Sequence, residues 1–112
     1  MVVERVDESI IEDEVWKYKN IKIDFSTYTF WVDDIGDELT HLNIELLKLF
    51  LSSKGKVLTR EIIKERIWGE ERLINDRNVD FQVWLLRKKL GLSKSELISI
   101  RSVGYKLNLR VQ

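Results

Sequence analysis

Residues 75–107, NDRNVDFQVWLLRKKLGLSKSELISIRSVGYKL, constrain the fold more tightly than any other part of the chain. Val79, Val83, Leu86 and Leu90 recur at intervals of 4, 3 and 4, which puts them on one stripe of a helix and gives that helix a face to bury. The spacing predicts a helix from about Asn78 to Leu90, stopped by Gly91, a residue type that accepts the left-handed backbone at helix ends. Two short β-rich segments follow, Leu97–Ile100 and Tyr105–Leu109, with Arg101-Ser102-Val103-Gly104 between them, and they read as a hairpin. A basic amphipathic helix thus leads into a two-stranded ribbon, and the helix faces that the core does not need are left for another task.

With 44% hydrophobic and 34% charged residues in 112 positions, the chain suits one compact domain. That length buries a single core without covalent staples. Cysteine is absent, so disulfides and thiolate metal sites are excluded, which fits a reducing cytosol. No apolar run approaches the roughly 20 residues that span a bilayer, and the acidic first 15 residues lack the layout of a signal peptide. The expectation is a soluble, cytoplasmic protein with no membrane partner. Net charge is zero, yet residues 1–71 hold 10 bases against 16 acids, a balance of −6, and residues 72–112 hold 9 against 3, a balance of +6. Either the cationic C-terminal third is a surface for nucleic-acid phosphates, which clustered Lys and Arg attract, or the asymmetry is chance.

Residues 1–14 carry six acids and one base without alternation and read as an acidic leader or linker. Val15–Tyr18, Ile21–Phe25 and Tyr28–Val32 are rich in β-branched and aromatic residues and are separated by Lys19-Asn20 and Ser26-Thr27, the pattern of antiparallel strands. Asp33-Asp34-Ile35-Gly36 reads as a turn and Asp37–Leu39 as a fourth strand. Thr40 is a candidate N-cap for a helix carrying Ile44, Leu46, Leu47, Phe50 and Leu51, which ends in Ser52-Ser53-Lys54-Gly55. Thr59 caps a second helix, with Glu61 in its first turn, Ile62, Ile63 and Ile67 as its buried stripe and Gly69 after it. An eight-residue polar loop, Glu70–Arg77, leads to the basic helix.

In this order the landmarks resemble the effector domain of OmpR/PhoB-type response regulators over about residues 15–108. Leu39-Thr40 ahead of Ile44, Leu46, Leu47 and Leu49, then Gly55-Lys56-Val57-Leu58-Thr59-Arg60-Glu61 and Ile67-Trp68-Gly69, look like that family's first two helices and their connection. Asp76-Arg77, Val79-Asp80 and Leu86-Arg87-Lys88-Lys89-Leu90 look like its recognition helix, and Ile100-Arg101-Ser102-Val103-Gly104-Tyr105-Lys106 like its wing. The resemblance implies an α+β winged helix-turn-helix over residues 15–110, with an N-terminal antiparallel four-stranded β-meander, three helices and a C-terminal β-hairpin wing. It implies sequence-specific double-stranded DNA binding and transcription regulation in a two-component system. Arg77, Asn78, Gln82 and Arg87 would hold phosphates or bases, Trp68 the backbone, and Arg101 the minor groove. It also implies a phosphate-accepting receiver domain outside this chain, joined through the leader, a dimer on DNA, and contact with RNA polymerase through residues 70–77. For Arg77 and Arg87 the alternative is a solvated surface or a structural ion pair with Asp76 or Asp80.

Two departures from the family pattern stand out. Ser102 occupies a position where the family usually has Gly; if that position needs a positive φ, Ser costs stability there. Phe81, Trp84, Leu85 and Lys88 lie at spacings of 3 or 4 beside or opposite the buried stripe, and at Trp84 and Leu85 the family commonly carries polar residues. Three accounts remain open: contact with thymine methyls and DNA shape; a protein-interaction surface on a winged fold that no longer reads bases; or a rotated helix with Trp84 partly buried. Tyr105 reads as a core residue packed under the recognition helix. His41, the only histidine, reads as solvated in a first helical turn. No catalytic pair, metal cluster or cofactor loop emerges, so neither an enzyme nor a cofactor is expected.

Overall fold

Short turns organise the N-terminal strands: two residues at 19–20 and at 33–34, and four at 25–28, where the expected Ser26-Thr27 turn also takes in Phe25 and Tyr28. The computed structural model describes residues 14–69 and 74–109, which fall in two compact units, Met1–Ile44 and Glu45–Gln112. In the first, β1 (Val15–Tyr18), β2 (Ile21–Asp24), β3 (Thr29–Val32) and β4 (Ile35–Glu38) form a sheet in sequence order. Every neighbouring pair is antiparallel, with Tyr18 opposite Ile21, Asp24 opposite Thr29 and Val32 opposite Ile35. Lys19, Asp33 and Asp34 take positive φ values at the turns; Asp33 and Asp34 together make the tight type I′ pattern that matches strand twist. This corrects the expected turn at residues 33–36: two residues suffice, so Ile35 and Gly36 lie in β4 instead. Ile21, Ile23 and Phe30 are buried on one sheet face. Lys17, Lys22 and Trp31 lie in register on the other, where the Lys22 ammonium sits 5.0 Å from the Trp31 ring. Of the leader, residues 1–13 lie outside the described residues; the Glu14 carbonyl accepts from Phe25 N at 2.8 Å.

Helix α1 (His41–Ser52) starts where Thr40 and Asn43 satisfy each other reciprocally: Thr40 Oγ1 accepts from Asn43 N and Asn43 Oδ1 accepts from Thr40 N, both at 3.0 Å. This is the logic of a capping box with an amide in place of the usual carboxylate. His41 is exposed and hydrogen-bonded, its Nδ1 lying 2.8 Å from the Tyr28 hydroxyl.

The second unit contains α2 (Arg60–Trp68) and α3 (Asp76–Leu90), the helix-turn-helix pair, and a three-stranded sheet in the order β5-β7-β6. Strands β6 (Leu97–Ile100) and β7 (Gly104–Leu107) form the expected hairpin, although β7 starts at Gly104 and ends at Leu107 where Tyr105–Leu109 was expected. Strand β5 (Val57–Thr59) was not expected; it pairs with β7, Val57 opposite Lys106 and Thr59 opposite Gly104. A Cβ on Gly104 would lie 2.0 Å from the Leu58 carbonyl oxygen, so only glycine lets β5 approach this closely. Thr59 caps α2 as expected, its side chain accepting from Ile62 N at 3.1 Å. The anticipated α2 stripe narrows to Ile63, which is fully buried, since Ile62 is 37% exposed and Ile67 half-buried. Helix α3 begins two residues earlier than its apolar spacing indicates, because the Asn75 side chain accepts from Asn78 N at 2.9 Å and acts as the cap. The 70–77 loop is correspondingly shorter, and residues 70–73 lie outside the described residues. Val79, Val83, Leu86 and Leu90 are at most 1% exposed; each contributes roughly 1.5–3 kcal/mol by its burial.

Candidate nucleic-acid interface

Because that stripe is buried, the opposite side of α3 faces out. At 3.6 residues per turn, Arg77, Phe81, Trp84 and Lys88, spaced 4, 3 and 4, lie on the far side of the helix from Val79, Val83, Leu86 and Leu90. All four are exposed, Phe81 by 52% and Trp84 by 49%. The exposure of Trp84 removes the rotated-helix account. The two rings stack, centroids 6.0 Å apart and planes 20° from parallel, and the Lys88 ammonium lies 5.6 Å from the Trp84 ring centre. Asn78 is exposed, and Gln82 and Leu85 are half-buried, on the flank of this stripe. Trp68, half-buried, is the last residue of α2.

Arg101 is exposed at the tip of the β6–β7 hairpin. Ile100 carbonyl accepts from Val103 N at 2.9 Å across the tip, and Ser102 has φ 64°. The position therefore does require the left-handed region, and Ser occupies it without diverting the hairpin.

Three side chains brace this tip against both helices. Arg60 Nε, at the start of α2, donates to Asp80 Oδ1 of α3 at 2.8 Å, and the Tyr105 hydroxyl of β7 donates to the same oxygen at 2.5 Å. Arg60 N also donates to the Val103 carbonyl at 3.2 Å. Burial pushes the Asp80 carboxyl up, but the Tyr105 and Arg60 hydrogen bonds and the Arg60 charge outweigh it and leave the carboxyl below its usual value. The bond to Asp80 raises the Arg60 guanidinium further. Burial first, then the bond to Asp80, pushes the Tyr105 hydroxyl up to about 12. Tyr105 is thus a core residue, 5% exposed, whose polar end is used. The sequence reading missed Arg60; its partners stand 20 and 45 positions away, and no local pattern links them.

Asp76 and Asp80, the candidate partners of Arg77 and Arg87, are engaged elsewhere: Asp76 pairs with Lys64 at 3.0 Å and Asp80 with Arg60. Arg87 is half-buried, and its Nη2 donates to the Leu97 carbonyl and, at 3.3 Å, to Ser99 Oγ. Its guanidinium is thus tied to β6, unlike that of Arg77, and among the ten candidate residues it is the one placed as a brace between α3 and the wing. The arrangement is a cationic and aromatic face on a helix hydrogen-bonded to a hairpin whose tip carries an exposed arginine.

A family model described as "Transcriptional regulatory protein, C terminal" matches residues 37–107. The chain is similar to response regulator RR06 of Streptococcus pneumoniae serotype 2, with 35% identity over 101 residues that cover 89% of this chain and 45% of that protein. It is similar to the transcriptional regulatory protein CiaR of Streptococcus pneumoniae, with 37% identity over 92 residues, 80% of this chain and 41% of CiaR. The chain thus spans about half the length of the curated relatives it matches. Among solved structures, the DNA-binding domain of response regulator AdeR, in complex with an intercistronic region, aligns with a TM-score of 0.65 and 33% identity over 85% of this chain and all of that one. The response regulator DrrB of Thermotoga maritima, described as an OmpR/PhoB homologue, aligns with a TM-score of 0.70 and 26% identity over 84% of this chain and 44% of that one. With its winged helix-turn-helix and its family match in hand, the chain belongs to the transcriptional regulatory protein C-terminal family, as an effector domain of the OmpR/PhoB type.

Proposed function

We propose that this domain binds double-stranded DNA sequence-specifically and regulates transcription as the output part of a two-component response regulator. Helix α3 enters the major groove and the β6–β7 hairpin lies in or beside the adjacent minor groove. The observation that carries this reading is the outward stripe of α3, cationic at both ends and opposite a fully buried stripe, with Arg101 exposed on a hairpin braced to the same helix. A helix fits a major groove about 12 Å wide. Arg77 and Lys88 stand 11 residues apart, about 16 Å along the axis, so each end of the stripe reaches a phosphate ridge. Arg77 lies in the first turn of α3, where backbone amides favour an anion as well. Asn78 and Gln82 are the side chains able to pair with base edges, and Trp68 contacts the backbone from α2. Family membership supports three finer parts of the proposal: a receiver domain in the parent protein, dimerisation on DNA, and contact with RNA polymerase through residues 70–77. A cytoplasmic setting follows from the same reading; no helix among the described residues is long and apolar enough to cross a membrane.

Titration with duplex DNA across a series of salt concentrations tests the proposal. Affinity should fall steeply with salt, and Arg77→Ala and Arg101→Ala should each weaken binding and reduce the salt slope by about one. Unchanged binding in both variants would refute the site, and salt-independent binding would refute the phosphate contacts.

A further inference from the structure

The centre of the α3 stripe has no residue that reads bases by paired hydrogen bonds. Between Arg77 and Lys88 it presents Phe81, which has no hydrogen-bonding group, and Trp84, which has one donor. Both rings remain about half exposed although they stack on each other. Two large aromatic surfaces held open to water, on a face whose charged members are both cations, fit a partner that is anionic at its edges and apolar in its middle. A protein partner of that shape would be acidic at two points about 16 Å apart. The major groove has this layout throughout: phosphate ridges on either side and, among the base edges, one apolar group, the thymine C5-methyl. Asp80, the residue before Phe81, accepts from Tyr105 of the arginine-bearing hairpin, so the helix that carries the stripe and the hairpin are held together.

We propose that the Phe81–Trp84 pair reads bases beside Asn78 and Gln82, and that it selects thymine C5-methyl groups at two neighbouring positions in the major groove. The proposal rests on the DNA-binding reading above. The ring centroids are 6.0 Å apart, and successive bases on one strand rise by about 3.4 Å, so the two rings cover adjacent thymines or thymines with one base between them. Lys88, over the Trp84 ring, places a charge beside the phosphate that flanks the second thymine. Preference at these positions therefore comes from apolar contact, while Arg77, Lys88 and Arg101 supply the sequence-independent attraction.

Replacing thymidine by deoxyuridine removes the methyl and leaves every hydrogen-bonding group of the base in place, which makes it a direct probe. Duplexes selected by the protein from a randomised pool are resynthesised with deoxyuridine at single positions, and binding is measured at fixed salt. Enrichment of two thymines at neighbouring positions, with affinity falling about fourfold for each methyl removed, is the expected result. In Phe81→Ala and Trp84→Ala the difference between thymidine and deoxyuridine should vanish at one position each, while salt-dependent binding persists. Salt-dependent binding with no loss on deoxyuridine substitution overturns this inference and leaves the DNA-binding reading standing. No salt-dependent binding to any duplex overturns both. Concentration-dependent self-association that Trp84→Ala abolishes, with duplex selection unaltered, assigns the rings to a protein contact and also overturns it. The comparison of duplexes uses the unaltered protein, so it holds even if a variant fails to fold.

Discussion

Replacing Tyr105 with Phe removes a single hydroxyl from the brace between wing and recognition helix. That hydroxyl donates to Asp80 at 2.5 Å from a residue only 5% exposed. A hydrogen bond to a charged acceptor contributes about 1.5–3 kcal/mol. Because 42% of the Asp80 side chain is exposed, solvent screening places this bond near the low end, about 1.5 kcal/mol. Urea unfolding of the wild type, Tyr105→Phe, Asp80→Asn and the double variant isolates the pairwise part, with an expected coupling of about 1–1.5 kcal/mol. The same hydroxyl has a signature in alkali. It ionises near pH 10 in an unfolded chain and at about 12 in the folded one, so the unfolded state releases its proton first. Its contribution is therefore whole below pH 10 and is lost as pH rises through about 12, by at most about 2.7 kcal/mol. Tyr105→Phe should lose correspondingly less stability across that window. Asp80 acts at the other end: its folded pKa is lowered, so its contribution is present above about pH 4 and is lost as pH falls through the folded value. A coupling below about 0.3 kcal/mol, together with identical alkaline profiles for wild type and Tyr105→Phe, would refute the brace.

Two further substitutions probe the wing backbone. Ser102→Gly should stabilise the domain by roughly 0.5–1 kcal/mol, because the residue sits at φ 64° where a side chain is strained and glycine is not; a lower urea midpoint would contradict this. Gly104→Ala should destabilise by about 1–3 kcal/mol, since its new methyl would meet the Leu58 carbonyl. An unchanged midpoint would show that β5 and β7 separate at little cost.

What the sequence revealed follows the range of each interaction. The buried stripe of α3 was legible because four apolar residues at 4, 3 and 4 admit one helical face, and all four are buried. The caps at Thr40 and Thr59 were legible for a similar reason, each acting on a backbone N–H three residues ahead. The start of α3 was not, because Asn75, Asp76 and Asn78 are all capping types within four positions and local pattern cannot choose among them. Strand β5 was hidden because three residues that follow Lys56, the last of them the α2 cap itself, become a strand only through pairing with β7, some 45 positions later. At the site, spacing located Phe81, Trp84 and Lys88 on one face, Arg77 joins them only because α3 starts at Asp76, and tertiary contacts alone distinguish Arg87, tied to Leu97 and Ser99, from Arg77. The Arg60–Asp80–Tyr105 brace was likewise invisible, since it unites three elements distant in sequence.

The seating of α3 on DNA is tested most directly by following backbone and indole amide resonances as a thymine-rich duplex is added at low salt. The largest shifts should fall on residues 76–89 along the outward stripe, the Trp84 indole N–H among them, and on residues 100–103 of the wing. The amides of Leu86 and Leu90 should move least within α3. Shifts that spare Arg77, Phe81, Trp84 and Lys88 while the duplex is bound would contradict the account.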